Sequence, residues 1–387
     1  MNTLANPVSK LPDVGTTIFT VMSALASEQG ALNLSQGFPD FDGPEALLQA
    51  VNAHMRSGQN QYPPMAGVAA LREATAAKVT ELYGLACDAD TEITVTAGAT
   101  EALFCAIAAV AHAGDEVIVL DPAYDSYDPV IRLQGAVPVH VPLSAPTYRI
   151  DWDRIEAAIT ANTRLLILNS PHNPTGMVMD ENDIAALSAL CAKYDIYLIG
   201  DEVYEHMVFD RARHLSLCGY AELYARSFVI SSFGKTYHVT GWKVGYCVAP
   251  PALTTEFRRV HQYVTFTVNT PVQLGIADFL QQHPQHHQQL PAFYQAKRDL
   301  FCELLQDSRF TVVPSQGTYF QLLGYDAISA ESDASLARRW TCEQGIASIP
   351  ISVFYQNPEA CGHRALRFCF AKDDDTLAKA ADILCRL

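Results

Sequence analysis

Two stretches of the chain decide the fold class: residues 197–205, with the sequence YLIGDEVYE, and residues 228–235, with the sequence FVISSFGK. Each begins with a short apolar run, typical of a buried β-strand, and continues into polar residues and glycine. The same pattern recurs from about residue 90, with Ala-rich helical stretches between the apolar runs. The predicted strands are residues 93–95, 117–120, 165–168, 197–199, 228–230 and 244–248, and the clearest predicted helices are residues 100–112 and 183–193. This alternation predicts an α/β fold with a mostly parallel sheet covered by helices on both faces.

Polar residues stand directly after most of these strands. In sheets of this kind, ligands bind outside the carboxyl ends of the strands, where the connections diverge. The strand ends therefore predict one site, and the residues that they place there are Gly98 to Thr100, Tyr124, Asn173, Asp201, Tyr204, and Ser232 to Lys235.

A second unit is predicted from about residue 276, where a His/Gln-rich connection precedes a long helix from residue 293. Short strands follow near residues 310–313, 319–322 and 366–370. This mixture predicts a smaller α+β domain. We expect an N-terminal arm with part of the small domain in residues 1–40, a large domain in residues 41–275, and the rest of the small domain in residues 276–387.

Composition excludes several classes of protein. The chain of 387 residues has a formal net charge of −16 and no Lys/Arg cluster, which opposes nucleic-acid binding. The N-terminus lacks the basic and apolar segments of a secretion signal, and the apolar run 103–111 is about half the roughly 20 residues of a membrane helix. Ten cysteines without a CxxC pair fit a reducing cytoplasm better than disulfides or a zinc site. We expect a cytoplasmic protein without membrane association.

Lys235 and Asp201 are the candidates for chemistry. For an isolated Asp at a strand end, a helix cap or a turn is the commoner role. Lys235, however, lies in an apolar loop between Ser, Gly and aromatic residues, whereas most lysines occupy solvated faces. Burial lowers the pKa of a lysine and suits it for covalent bond formation with a carbonyl group.

Four motifs in order resemble the class I and II aminotransferases, pyridoxal-phosphate (PLP) enzymes of fold type I. They are NPTG at residues 173–176, DEVYE at 201–205, SFGK at 232–235 and GWKVG at 241–245. The segment NLSQGFPDFDGP at residues 33–44 is similar to the kynurenine/methionine aminotransferase branch. The resemblance implies a large PLP-binding domain, a homodimer with shared active sites, and ping-pong transfer from apolar or aromatic L-amino acids, methionine favoured, to 2-oxo acids.

The resemblance also implies roles at the cofactor. Lys235 would carry PLP as a Schiff base and move the proton, and Asp201 would pair with the pyridine nitrogen. Asn173 and Tyr204 would bond the 3-hydroxyl oxygen, and Tyr124 would stack on the ring. The expected phosphate ligands are Gly98, Ala99, Thr100, Ser232 and Lys243, of which the first three begin a predicted helix.

Substrate contacts follow from the same resemblance. Arg367 would bind the α-carboxylate with two parallel hydrogen bonds, assisted by Gly37 and Asn173. The expected side-chain pocket consists of Phe19, Phe38, Tyr62 and Phe266, the last two from the partner subunit. Such an aromatic pocket favours apolar side chains, and a thioether contacts aromatic rings well. Thr267 stands where kynurenine-preferring relatives tend to carry histidine.

Other interpretations remain open. Kynurenine or aromatic amino acids are alternative substrates, and a PLP lyase could use Lys235 and Asp201 for β-elimination from cysteine conjugates. A ligand sensor fused to a DNA-binding module is disfavoured by the acidic composition. His283, His286 and His287 have no carboxylate or cysteine at ligand spacing, so they predict a solvated loop or helix end, and no metal is expected.

Overall fold

The computed structural model describes residues 7–387, which form thirteen strands and fourteen α-helices. The strands are β1 (Leu32–Asn33), β2 (Ile93–Thr96), β3 (Glu116–Asp121), β4 (Val137–Pro142), β5 (Thr163–Asn169), β6 (Tyr197–Asp201), β7 (Ser227–Ser232), β8 (Gly245–Val248), β9 (Thr311–Val312), β10 (Phe320–Gly324), β11 (Ile346–Ala347), β12 (Ile349–Pro350) and β13 (Ala365–Cys369). The helices are α1 (Ile18–Gln29), α2 (Glu45–Arg56), α3 (Ala69–Tyr83), α4 (Ala99–Val110), α5 (Tyr127–Leu133), α6 (Trp152–Ala158), α7 (Glu181–Lys193), α8 (Ala221–Tyr224), α9 (Phe233–Thr236), α10 (Pro251–Val264), α11 (Thr270–Gln282), α12 (Gln285–Leu304), α13 (Asp333–Glu343) and α14 (Asp374–Leu384).

A seven-stranded sheet in the order β2-β8-β7-β6-β5-β3-β4 forms the centre of the large unit. All neighbouring strands are parallel except β8, which is antiparallel to both β2 and β7. The fold class predicted from the alternating pattern is therefore confirmed. All six predicted strands of this sheet exist, most of them longer by one or two residues at an end.

Helices cover both faces of this sheet, because its central strands are apolar on both sides. Ile167 and Ile199 pack into one buried cluster with residues of α4 and α10, whereas Leu166 and Leu198 belong to the larger cluster on the other face. Successive side chains of a strand point to opposite faces, so a continuous apolar run fills both layers.

The edge strand β4 was not predicted. Its sequence VPVHVP contains two prolines, which cannot donate to a sheet and are tolerated at an edge. Most of its residues are only half-buried, and Val137 is exposed. The segment therefore lacks the apolar signal of the central strands.

The second unit is built on a four-stranded antiparallel sheet in the order β12-β13-β10-β9. Strand β1 pairs in parallel with β11, so residues 32–33 join this unit. Helix α12 begins at Gln285, earlier than the predicted helix start at residue 293. The prediction of a solvated segment at the histidines was wrong for His287, which is buried within α12.

The division of the chain into domains at residues 41 and 276 stays a prediction. The second boundary would fall inside α11, which packs mainly on α2. Among the helices of residues 7–387, none has both the length and the apolar composition required to cross a bilayer.

Candidate active site

A cavity of about 280 Å³ opens at the carboxyl ends of β2, β5, β6 and β7. The sequence places its candidate residues at these ends, and most of them lie together around this cavity. The predicted residues that line it are Phe19, Gly37, Gly98, Ala99, Thr100, Tyr124, Asn173, Asp201, Tyr204, Ser232, Lys235, Lys243 and Arg367.

Lys235 lies on the one-turn helix α9, immediately after β7. Its Nζ donates to the carbonyl oxygen of Gly37 at 3.0 Å and to the hydroxyl oxygen of Tyr319 at 2.8 Å. Burial lowers the pKa of Lys235 to about 8, which increases the fraction of neutral, nucleophilic amine near neutral pH.

Asp201 ends β6 and is buried. Burial raises the pKa of this carboxyl to about 6, although a hydrogen bond donated by the hydroxyl of Tyr127 acts in the opposite direction. The side-chain amide of Asn169 donates to the carbonyl oxygen of Asp201 at 2.8 Å and so fixes the backbone there. A buried carboxylate at this position is suited to pair with a cationic ring nitrogen.

Arg367 is buried in strand β13, and its guanidinium has a hydrogen-bond donor without a partner. Nη1 donates to Asn173 Oδ1 at 2.7 Å and Nη2 to the carbonyl oxygen of Ser35 at 3.3 Å, while Nε has no partner. The guanidinium carbon lies 3.9 Å from the ring centroid of Phe320 and 5.2 Å from that of Phe19. Burial lowers the pKa of Arg367 to about 10. Since a buried guanidinium is costly without a counterion, this one is suited to bind a carboxylate.

An anion cradle lies at the start of α4. Gly98 precedes the helix with a φ of 77°, and a Cβ at this position would lie 3.2 Å from Lys243 Cε. Lys243 Nζ thus stands beside the free N–H groups of the helix N-terminus, and Ser232 at the start of α9 lines the same cavity. Backbone N–H groups and an ammonium together suit a phosphate group.

Two tyrosines, Tyr124 and Tyr204, complete the lining of the cavity. Tyr204 is buried with its ring perpendicular to that of Tyr319 at 5.1 Å, and desolvation raises its pKa. The ring of Tyr124 is perpendicular to that of Tyr127 at 5.8 Å. Desolvation raises the pKa of Tyr124 as well, so both phenols remain protonated and can donate hydrogen bonds.

Three predicted residues do not line the cavity. Tyr62 is 85% exposed and contacts the ring of Phe266, with 5.7 Å between the ring centroids. Phe38 is 43% exposed, and Lys372 Nζ lies 5.0 Å from its ring centroid. In the single chain the aromatic side-chain pocket is thus represented by Phe19 alone among the predicted members.

The segment 35–38 contacts both units of the chain, and its residues Gln36 and Gly37 line the cavity. Its carbonyl oxygens accept hydrogen bonds from three cationic side chains that lie far along the chain: residue 35 from Arg367, residue 37 from Lys235 and residue 38 from Lys372. These contacts connect residues 35–38 to Lys235 and to two residues of the C-terminal part of the chain.

Several residues of the site were missed. Tyr127 and Tyr319 bond Asp201 and Lys235, and neither is marked by a local pattern. Asn169 ends the apolar run LLILN, so its polar side chain at a strand end was a usable signal. The other unpredicted residues that line the cavity are Gln36, Leu103, Val203, Thr240 and Phe320.

One group within residues 7–387 brings three metal-binding side chains together: Glu101, Cys105 and His261. Glu101 Oε1 lies 2.8 Å from His261 Nδ1 and accepts from Cys105 Sγ at 2.9 Å. Burial raises the pKa of Cys105, so the thiol stays protonated. These hydrogen bonds connect α4 to α10, and they account for the close approach of the three side chains.

The family model for aminotransferase class I and II matches residues 29–384. The chain belongs to this family. It is 51% identical over 381 residues to a methionine aminotransferase of Escherichia coli (strain K12), with 98% of each chain covered. It is 32% identical to a human kynurenine–oxoglutarate transaminase, with 91% of each covered.

Solved structures agree with these relatives. A crystal structure from Escherichia coli that identifies a methionine aminotransferase function matches with a TM-score of 0.96 at 51% identity, covering 99% of this chain and 100% of the other. N-Succinyldiaminopimelate aminotransferase from Mycobacterium tuberculosis matches with a TM-score of 0.94 at 39% identity, covering 98% and 99%.

Class I and II aminotransferases use pyridoxal 5′-phosphate, and the cavity fits this cofactor. The cradle at Gly98 and Lys243 suits its phosphate, a buried carboxylate at Asp201 suits its ring nitrogen, and the amine of Lys235 suits its aldehyde. The donor set of the cavity thus agrees with the family's cofactor.

Proposed function

We propose that this protein transfers the amino group of L-amino acids with apolar or aromatic side chains to 2-oxo acids by a ping-pong mechanism, with methionine as the favoured donor. The observation that carries the proposal is that Lys235, Asp201 and Arg367 surround one cavity. Covalent attachment, charge balance at a ring nitrogen and carboxylate binding are the three functions that a PLP aminotransferase requires.

The residues around the cavity divide the binding of the cofactor among them. PLP supplies a ring that takes up the electron pair left on the substrate Cα. Asp201 would pair with the ring nitrogen, Asn173 and Tyr204 would bond the 3-hydroxyl oxygen, and Tyr124 would stack on the ring. The residues that would hold the phosphate are Gly98, Ala99, Thr100, Ser232 and Lys243.

Lys235 has two tasks in the proposed reaction. Its amine would hold the cofactor covalently, and when free it would accept the proton from the substrate Cα and return it at C4′ of the cofactor. Its lowered pKa of about 8 supports both tasks, because a neutral amine is needed to take a proton.

Arg367 binds the α-carboxylate, assisted by Asn173 and Gly37. Three cations line the cavity: Lys235, Lys243 and Arg367. All three have assigned tasks, so within residues 7–387 of one chain no further cation lines the cavity to bind a side-chain carboxylate. Phe19 and Leu103 instead line the cavity with apolar surface, which favours methionine over acidic substrates.

We further propose a homodimer in the cytoplasm. Tyr62 and Phe266 form an exposed aromatic pair, and Phe38 is partly exposed as well. In a homodimer, Tyr62 and Phe266 of each protomer would complete the substrate pocket of its partner, whereas Phe38 would belong to the pocket of its own protomer.

The test is a half-reaction without any 2-oxo acid acceptor. Adding methionine to the PLP-loaded protein should abolish the absorbance of the lysine-bound cofactor and release one equivalent of the 2-oxo acid per site. Lys235→Ala is the control, because it should retain no lysine-bound absorbance. Pyruvate and ammonia from cysteine conjugates, with no response to methionine, would instead identify a β-lyase. A panel with kynurenine, phenylalanine, tyrosine and N-succinyldiaminopimelate then ranks the donors.

A further inference from the structure

The hydrogen bonds of Lys235 include one partner that the roles above leave unexplained. Lys235 Nζ donates to the hydroxyl oxygen of Tyr319 at 2.8 Å and to the carbonyl oxygen of Gly37 at 3.0 Å. The hydroxyl of Tyr319 itself donates to the same carbonyl oxygen. Three polar atoms thus form a closed triangle at the wall of the cavity.

Tyr319 is held rigidly in this position. Its side chain is fully buried, and its ring packs against Tyr204, Phe320 and Tyr294 with centroid distances of 5.1, 5.0 and 5.8 Å. The preceding Thr318 has a φ of 67°, a conformation rare for residues other than glycine. The backbone N–H of Thr318 donates to the carbonyl of residue 207 at 2.9 Å, so the turn is anchored to the large unit.

The hydroxyl is chemically different from the other acceptor. A protonated lysine has three donors and no acceptor, so it needs the oxygen of Tyr319 or of Gly37. A neutral amine has a lone pair, to which the O–H of Tyr319 can turn and donate, whereas a backbone carbonyl cannot. Tyr319 is therefore the one partner in this triangle that suits both protonation states.

We propose that Tyr319 is a positioning residue for Lys235: its hydroxyl holds the free amine at the cavity wall whenever this amine is not joined to the cofactor, and reorients as the amine gains or loses its proton. The inference rests on the proposed function, since it concerns the interval in which Lys235 moves a proton. Without the hydroxyl, the amine keeps only the Gly37 carbonyl and can swing away from the substrate Cα.

The experiment compares Tyr319→Phe with Tyr294→Phe. Both remove one buried hydroxyl from the same aromatic cluster, but that of Tyr294 bonds His238 Nδ1 at 2.9 Å and does not touch Lys235. Tyr319→Phe should still bind the cofactor, and its KM for methionine should lie within about twofold of the wild-type value. Its kcat should decrease by about 10- to 100-fold, which corresponds to the loss of one hydrogen bond to a charged group. The isotope effect with Cα-deuterated methionine should increase, because proton transfer becomes slower. Tyr294→Phe should match the wild type.

The cofactor-free protein offers a readout independent of turnover. The rate at which Lys235 combines with added PLP should follow the fraction of neutral amine, and its midpoint in pH should lie lower in Tyr319→Phe because the ammonium loses an acceptor. If Tyr319→Phe fails to fold, replacing Tyr319 by 3-fluorotyrosine preserves the packing and should shift the midpoint less, in the same direction.

An unchanged kcat, isotope effect and pH midpoint in Tyr319→Phe would overturn the proposal. A raised KM with unchanged kcat would also overturn it, since Tyr319 would then act on substrate binding through Gly37. Failure of the proposed function is distinguishable, because the wild type itself would then give no half-reaction with methionine.

Discussion

Replacing Lys235 by methionine in the cofactor-free protein is expected to stabilise the fold near neutral pH. Burial lowers the pKa of Lys235 from 10.5 to about 8, so folding disfavours the protonated amine. The difference of about 2.5 pH units corresponds to about 3 kcal/mol of unfavourable free energy when the amine is protonated. Methionine has a similar length and no charge. After allowing for the lost hydrogen bonds, we expect a gain of about 1–3 kcal/mol at pH 7.

The sign of the pH dependence follows from proton binding. Between pH 8 and 10.5 the unfolded chain still holds a proton on Lys235 that the folded chain has released. The free energy of unfolding of the wild type therefore increases with pH in this window, and Lys235→Met lacks this increase. The advantage of the variant should be largest below pH 8 and shrink toward pH 10.5.

Urea unfolding of both cofactor-free proteins at several pH values measures this difference. Lys78→Met is the matched control, because Lys78 is also buried but lies 2.8 Å from the carboxylate of Glu205. Its removal leaves a buried charge unpaired and should cost about 3–5 kcal/mol. The reasoning is refuted if Lys235→Met is less stable than the wild type at pH 7, or if the difference does not change with pH.

Three further substitutions test the site. Asp201→Asn should bind PLP at least about tenfold more weakly and, at saturating PLP, lower kcat by about 100- to 1,000-fold in initial-rate measurements, because the ring nitrogen loses its counterion. Tyr127→Phe should raise the pKa of Asp201 further and weaken PLP binding more at pH 6 than at pH 8, by about tenfold in a fluorescence titration; equal weakening at both pH values would contradict this. Arg367→Lys should raise KM for both methionine and the 2-oxo acid by about 10- to 100-fold, since an ammonium cannot form two parallel hydrogen bonds; an effect on one substrate alone would argue against a shared carboxylate site.

The sequence predicts the parts of this molecule that have local signals. Lys235, Asp201 and Asn173 follow apolar runs, and the strand ends bring all three to one cavity. The large sheet could be predicted for the same reason, since buried strands are continuous apolar runs. The roles of these residues at the cofactor stay predictions until the substitutions are made.

Contacts between distant parts of the chain could not be predicted. Tyr127 lies 74 residues before its partner Asp201, and Tyr319 lies 84 residues after Lys235. These pairs depend on which helix packs on which strand and on the turn at Thr318, not on local composition. Tyr62 is an exposed aromatic ring in the single chain. The pocket that we predict it to line belongs to a partner subunit.

The hydrogen bonds to the segment 35–38 have a consequence for the order in which the cavity forms during synthesis of the chain. Residues 35–38 leave the ribosome early. The side chains that donate hydrogen bonds to their carbonyl oxygens emerge much later: Lys235, Arg367 and Lys372. A nascent chain that already exposes Lys235 still lacks Arg367 and the strand that carries it. The Arg367 side of the cavity is therefore the last part to be completed, and a C-terminal truncation that removes β13 would also remove the guanidinium that we propose binds the substrate carboxylate.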